Sequence, residues 1–342
     1  MRLGLLAVAG VIVATLAGAA AQADSASDAR IFQAYRMKGA VMPFRDPSII
    51  RQGDTYYVFG TDMGDTNFES IPIRCSKDKE TWIACGNVFR GLPAWLREKV
   101  PGIGGIWAPD ISYFHGLYHL YYAGSTFGSN RSVIALATNT TLDRHDPNYK
   151  WIDHGVVLES KQGDDFNAID PNILVVNEGE IWLSYGSFWT GLKQRRIDPD
   201  TGMLSKVDTK IYALAERKDV LYHPIEASSL VQHDGFYYLF ASFDLCCVPD
   251  PHNATYRIMV GRGKTPHGPF VDRKGVAMMD GGGTELLAGD GKEWSGPGGQ
   301  TVYIDPKDGD LIVFHALRLP QGQGNLFVNK LTWIDGWPSI VP

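Results

Sequence analysis

Gly53-Asp54-Thr55-Tyr56-Tyr57-Val58-Phe59-Gly60-Thr61 reads as a turn glycine followed by an aromatic-rich strand in which every second residue is apolar. The same pattern returns at Gly116-Leu117-Tyr118-His119-Leu120-Tyr121-Tyr122-Ala123-Gly124, at Gly179-Glu180-Ile181-Trp182-Leu183-Ser184-Tyr185-Gly186-Ser187, at Gly235-Phe236-Tyr237-Tyr238-Leu239-Phe240-Ala241-Ser242-Phe243 and at Gly309-Asp310-Leu311-Ile312-Val313-Phe314-His315-Ala316-Leu317. A period of roughly sixty residues holds about four short strands with their loops, the content of one propeller blade. The fold class expected is all-β, a five-bladed β-propeller. A β-sandwich does not require five similar units at near-constant spacing, and helical readings fail because Gly and Pro are frequent and long 3.6-residue periods are scarce.

A second short strand precedes each turn glycine. The copies begin Asp46-Pro47-Ser48, Asp110-Ile111-Ser112, Asp170-Pro171-Asn172, Glu226-Ala227-Ser228 and Gly299-Gln300-Thr301. In a propeller the innermost strand of each blade lines the central channel, so this alignment brings four acidic side chains together at the axis. Asp before Pro also has a local explanation as a turn former. Glu226 has no Pro after it, and solvated turn acids need not recur in register. Asp46, Asp170 and Glu226 are therefore the candidate catalytic residues, placed at the central channel.

Clustered carboxylates raise one another's pKa, which leaves a proton on one of them near neutral pH. Glycoside hydrolysis needs that arrangement: a protonated acid for the leaving oxygen and an ionised base for water, about 6.5–9.5 Å apart for inversion. The rest of the chain agrees with a neutral ligand. A formal net charge of -6 and the absence of a long Lys/Arg run exclude nucleic acid as the main partner.

At the N-terminus, Arg2 precedes an apolar run from Leu3 to Ala20 and the small-residue site Ala21-Gln22-Ala23. Residues 1–23 read as a signal peptide and 24–342 as one propeller domain, secreted or periplasmic, with no membrane contact after cleavage. A ring that protects its own strand edges needs no partner, so a monomer is expected. Cys75 and Cys85 flank a probable turn and could pair. Adjacent Cys246 and Cys247 are read as small buried apolar residues. His115, His119, His223, His233 and His315 form no metal-binding motif and are read as strand, turn or surface residues.

Further motifs complete the reading: Arg45-Asp46-Pro47-Ser48, Trp107-Ala108-Pro109-Asp110-Ile111, Ser125-Thr126-Phe127-Gly128-Ser129-Asn130-Arg131-Ser132, Ala168-Ile169-Asp170-Pro171-Asn172, Gly186-Ser187-Phe188-Trp189-Thr190-Gly191, Ile225-Glu226-Ala227, Ser242-Phe243-Asp244-Leu245-Cys246-Cys247, Thr255-Tyr256-Arg257-Ile258-Met259-Val260-Gly261-Arg262 and Gly281-Gly282-Gly283-Thr284. With these in order from Asp46 onward, the chain resembles glycoside hydrolase family 43, and within it the endo-1,5-α-L-arabinanases. The resemblance implies inverting hydrolysis of plant cell-wall arabinan or arabino-oligosaccharides. Asp46 would be the general base, Glu226 the general acid, and Asp170 the carboxylate that orients the acid and raises its pKa. It also implies a sugar cleft lined by Trp107 and Phe127, with Ser187 and Trp189 as further substrate-binding candidates.

Two departures from the family pattern stand out. Arg45 occupies a position where the family carries His, and reads either as a cation holding Asp46 ionised or as a loop residue without a catalytic part. The acid/base mechanism implies no cofactor for the chemistry; Gly299 stands where the family's Gly-Pro-Gly-His supplies a calcium ligand, so a structural calcium would need water and other oxygens, or Gln300 displaced toward the axis. Both departures leave endo versus exo action undecided, with an exo-acting α-L-arabinofuranosidase or β-xylosidase of the same family as the alternative. A catalytically inactive sugar-binding propeller is the alternative of another class, disfavoured because repulsion among three channel carboxylates would serve it little.

Overall fold

The computed structural model describes residues 37–62 and 70–340, so the export signal read at 1–23 lies outside the described residues. Those residues form five antiparallel sheets. Blade 1 comprises β2 (Ser48–Gln52), β3 (Thr55–Phe59), β4 (Ser70–Ser76) and β5 (Thr81–Phe89), with β1 (Lys38–Gly39) added in parallel at its outer edge. Blade 2 comprises β6 (Ile106–Phe114), β7 (Leu117–Gly124), β8 (Ser132–Asn139) and β9 (Ile152–Ser160); blade 3 comprises β10 (Asn172–Asn177), β11 (Glu180–Tyr185), β12 (Leu192–Ile197) and β13 (Tyr212–Ala215). Blade 4 holds β14 (Ile225–His233), β15 (Phe236–Phe243), β16 (Arg257–Gly263) and β17 (Thr284–Leu287), and blade 5 holds β18 (Trp294–Tyr303), β19 (Leu311–Arg318), β20 (Gln323–Ile334) and β21 (Trp337–Ile340). The first strands touch in order, β2 with β6, β6 with β10, β10 with β14, β14 with β18, and β18 again with β2. That cyclic order is a closed five-bladed propeller, as the repeat predicts.

Strand alternation explains how the blades hold together. Successive side chains of β3 leave opposite faces of the sheet. Tyr57 and Phe59 pack with Ile111, Leu120 and Tyr122 of blade 2, while Tyr56 and Val58 pack with Leu311 and Val313 of blade 5. One strand thus serves two hydrophobic interfaces, which is why the turn-glycine repeat is aromatic on both faces. Fully burying each such side chain contributes about 1.5–3 kcal/mol. Between blades 1 and 5 the N-terminal segment adds main-chain bonds: Phe44 donates to Gly324 and Leu326 donates to Val41.

The strand pairing corrects the alignment drawn from sequence. Ser48, Asp110, Asn172, Ser229 and Thr301 are the equivalent residues, facing Phe59, Tyr121, Ser184, Phe240 and Val313 on the second strands. Two residues before them stand Asp46, Ala108, Asp170, Ala227 and Gly299, all with positive φ between 38° and 56°. Asp110 therefore lies two positions deeper than Asp46, and only three of the four expected acids share one level. The X-Pro pairs Asp46-Pro47, Ala108-Pro109 and Asp170-Pro171 carry the true register.

At Asp110's level the inner strands are joined by side chains. Ser48 Oγ accepts the Ile111 N–H at 3.0 Å, Asp110 Oδ2 that of Ile173 at 2.8 Å, Asn172 Oδ1 that of Leu230 at 2.8 Å, and Ser229 Oγ that of Val302 at 3.0 Å. Each is a bond from one blade to the next. Asp110 Oδ1 also accepts from Ser48 Oγ and Asn172 Nδ2, both at 3.1 Å. Burial pushes its carboxyl up to about 7, against the donors that favour the ionised form. Asp110→Ala strips the acceptor from these buried donors and is expected to lower the unfolding free energy by about 3 kcal/mol in denaturant titration. The exposed Asp200→Ala should leave it within about 0.5 kcal/mol.

Candidate active site

Each of the three candidate carboxylates stands at or beside a left-handed residue. Asp46 has φ 48° and Asp170 φ 55°, while Glu226 directly precedes Ala227 at φ 51°. Non-glycine residues adopt this conformation at a cost of about 1–2 kcal/mol, and the surrounding bonds hold them there. The register of β14 against β15 shifts between Glu226 and Ser229, so the strand bulges and re-aims Glu226 toward the axis.

A second belt of cross-blade bonds secures this level. Thr61 Oγ1 accepts the Ala108 N–H at 2.8 Å, Asp170 Oδ2 the Ala227 N–H at 3.0 Å, Ser242 Oγ the Gly299 N–H at 3.0 Å, and His315 Nδ1 the Asp46 N–H at 3.2 Å. Thr61 also donates its hydroxyl to Asp46 Oδ2 at 2.5 Å. By strand pairing Thr61, Ser242 and His315 are equivalent, each two residues beyond the partner of Ser48, Ser229 or Thr301. Counted from the turn glycines Gly53, Gly235 and Gly309 they fall eight, seven and six residues on, which hides the equivalence in the sequence. His315 is a strand residue as read, yet it belongs to the site. Burial holds its imidazole down at about 4, so it is neutral and its Nδ1 is free to accept.

Asp170 and Glu226 are both raised above the ordinary carboxylate range. For Asp170 the causes are burial first, then the charges of Glu226 and Asp46; its bond from Ala227 opposes them. For Glu226 burial again leads, the Asp46 charge adds, and hydrogen bonds from Ser187 and Tyr256 oppose. Two enclosed carboxyls beside a third hold a proton above the ordinary carboxylate range and titrate as a pair. Asp46 keeps 28% of its side chain exposed, enough for water to reach it.

A cleft of about 780 Å³ opens over Glu226. All four sugar-binding candidates lie on its walls: Trp107, Phe127, Ser187 and Trp189, with Phe127 80% exposed. Ser187 has a second contact, donating Oγ to Glu226 Oε2 at 2.6 Å. Tyr256, to which its motif assigns no role, also joins the site. It is buried beside the carboxylates, whose charges with burial push its phenol well up. Gly298 makes room for it, since a Cβ there would lie 2.2 Å from the Tyr256 ring.

The two family departures resolve differently. Arg45 donates Nη1 to Cys247 Sγ at 3.4 Å rather than to Asp46. At Gly299, a Cβ would lie 2.4 Å from Asp46 Oδ1 and 2.8 Å from the His315 ring, so the space of the family's histidine is filled by protein groups. Gly299 offers no side-chain ligand; beside it His315 Nδ1 accepts the Asp46 N–H while its Nε2 is buried without a hydrogen-bond partner, so a calcium ion here would have to be held by other oxygens or by water. Both cysteine pairs are disulfides, Cys75–Cys85 as the turn allowed and Cys246–Cys247 in correction of the buried-thiol reading. The second pair lies in the cleft wall, where oxidation rather than burial accounts for the sulfurs.

The model of glycosyl hydrolases family 43 matches residues 41–338. The chain is similar to the extracellular endo-alpha-(1->5)-L-arabinanase 1 of Bacillus subtilis (strain 168), 38% identical over 86% of each protein. It is equally similar, at 38% identity over 86% of this chain and 85% of the other, to an extracellular exo-alpha-(1->5)-L-arabinofuranosidase of Cellvibrio japonicus (strain Ueda107). Among solved structures, Cellvibrio cellulosa alpha-L-arabinanase complexed with arabinohexaose superposes with a TM-score of 0.80 at 36% identity, covering 88% of this chain and 96% of that one.

Gly53 and Gly299 have similar φ, 60° and 56°, but only Gly299 is crowded. Gly53→Ala should therefore cost about 1 kcal/mol for backbone strain alone, and Gly299→Ala about 3 kcal/mol once overpacking is added. Equal losses for the two variants in denaturant unfolding would contradict the contact with Asp46 and His315.

Proposed function

The chain belongs to glycosyl hydrolases family 43, and from that premise we propose that it is an exported endo-acting hydrolase of 1,5-α-L-arabinan working by inversion. The observation that carries the reading is the trio Asp46, Asp170 and Glu226, at or beside left-handed positions of three inner strands beneath an aromatic-walled cleft. Relatives named for arabinan, and a structural neighbour titled as a complex with arabinohexaose, support the substrate class. Export is supported by the signal-like N-terminus and by relatives named extracellular. Among the described residues no helix is long and apolar enough to cross a membrane.

In this mechanism Asp46 takes a proton from the attacking water, and its partial exposure with the Thr61 hydroxyl on Oδ2 suits it to hold that water. Glu226 gives its proton to the leaving oxygen. Asp170, anchored by Ala227, repels a second negative charge and so keeps a proton on the pair. Trp107, Phe127 and Trp189 offer apolar faces to the furanose rings, and Ser187 both faces the cleft and orients Glu226. No step passes through a metal. An exo-acting enzyme is the second reading, favoured by the equal identity to an exo-acting relative. The unit is proposed to act as a monomer.

A product time course on linear 1,5-α-arabinan tests this. Mixed oligosaccharides in the first minutes are expected, with Glu226→Gln and Asp46→Asn each slower by at least about a hundredfold. Arabinose alone would replace the endo reading by the exo one; activity only on xylo- or fructo-oligosaccharides would remove the arabinan assignment. A calcium chelator is expected to leave the initial rate unchanged.

The pH profile gives an independent test. Glu226 must be protonated to act, and burial raises its pKa, so activity should persist above the ordinary carboxylate range and fall as pH rises through the pKa of the pair. Ser187 stabilises ionised Glu226. Ser187→Ala should therefore move the alkaline limb of kcat to higher pH; a shift to lower pH would contradict the assignment of Glu226 as the acid.

A further inference from the structure

Cys246 and Cys247 form a disulfide between adjacent residues, a bond that encloses no loop of chain. A disulfide stabilises a fold mainly by restricting the unfolded chain, and more for longer loops. Cys75–Cys85, ten residues apart, ties the turn between β4 and β5 in this way; Cys246–Cys247 ties nothing distant. Its effect must be local.

The location is specific. Leu245, Cys246, Cys247 and Val248 line the same cleft as Glu226, Trp107 and Trp189. The base of their loop is clamped: Asp244 accepts from both Arg217 and Arg257, and the Leu245 carbonyl accepts from the N–H groups of Thr255 and Tyr256. From across the ring, Arg45, the residue before Asp46, donates to Cys247 Sγ. The sulfur pair thus bridges the cleft wall of blade 4 and the strand that carries Asp46. Oxidised, it presents a fixed, polarisable surface without an O–H or N–H donor, suited to the C–H face of a sugar ring. Reduced, the two side chains rotate independently and must be ordered again when a ligand binds.

We propose that the Cys246–Cys247 disulfide is a substrate-contact wall of the cleft, and that a dithiol reductant weakens substrate binding by opening it. The inference rests on the arabino-oligosaccharide reading above. One thiolate of the dithiol attacks a sulfur of the pair, and its second thiol displaces the mixed disulfide. Two electrons and two protons pass to Cys246 and Cys247, leaving two thiols and the oxidised, cyclic reductant.

The test is steady-state hydrolysis of a linear arabino-oligosaccharide by the full protein before and after dithiol treatment, with mass spectrometry after alkylation reporting which cysteines are reduced. Reduction of the pair is expected to raise KM about fivefold, the equivalent of ordering one additional flexible side chain, with kcat changed less than twofold and KM restored on reoxidation. Cys246→Ser/Cys247→Ser should have the raised KM from the start, no response to dithiol, and an unchanged unfolding midpoint. An unchanged KM with the pair fully reduced overturns the inference alone. So does a dithiol response that persists in the double variant, because it would belong to Cys75–Cys85. Oxidised wild-type protein that cleaves no arabino-oligosaccharide overturns the functional reading and the inference with it.

Discussion

The molecule depends on how five inner strands meet at an axis where they cannot pair with one another. A strand at the edge of a sheet presents unpaired N–H groups, and buried ones must find acceptors. Here short polar side chains supply them from the neighbouring blade, Ser48, Asp110, Asn172 and Ser229 at one level and Thr61, Asp170, Ser242 and His315 at the next. The first belt joins blades 1 to 5 in sequence, and the His315 bond to Asp46 in the second joins blade 5 back to blade 1. The second belt also holds the backbone of the active site, since its donors are residues in left-handed conformation. Asp46 and Asp170 occupy that conformation because the bonds on either side over-determine it. Catalytic precision and ring closure are two results of one set of hydrogen bonds.

Electrostatics separates the two levels. Asp110 is surrounded by donors and lies among uncharged belt residues, so its charge state affects the fold. Asp170 is raised by burial, Glu226 and Asp46, and Glu226 by burial and Asp46, so their charge state concerns the chemistry. His315 links the levels without adding charge. Its neutral ring accepts from the Asp46 backbone, so a histidine 3.4 Å from Asp46 Oδ1 is a geometric support and not an ion pair.

Much of this was legible in the sequence because each blade repeats a turn glycine and a strand that must be apolar on both faces. The three carboxylates were legible too, since they recur in matching strands. What misled was the register. Asp110 looks equivalent to Asp46 when acids are aligned on acids, whereas Ala108-Pro109 is the matching pair; the like bulges of β6 and β14 make Trp107 the equivalent of Glu226, each one residue before the left-handed position. His315 was hidden because the turns differ in length, so Thr61, Ser242 and His315 stand at different distances from their glycines. Tyr256 and the Cys246–Cys247 pair come from a connection between β15 and β16 that no repeat describes. Strand periodicity reports which face a residue occupies, not how many residues a bulge or turn consumes.

The fifth blade accounts for the asymmetry of the site. Blades 1, 3 and 4 place acids at or next to the left-handed level, blade 2 places Ala108 there beside Trp107, and blade 5 places Gly299. A ring of five such positions cannot hold five side chains within hydrogen-bonding distance of one axis. Blade 5 therefore contributes space: Gly298 leaves room for the Tyr256 ring, and Gly299 for Asp46 and His315. Tyr256 then reaches Glu226 from one side while His315 supports Asp46 from the other. The glycines that remove the family's metal ligand are thus the residues that let two protein side chains take over the centre.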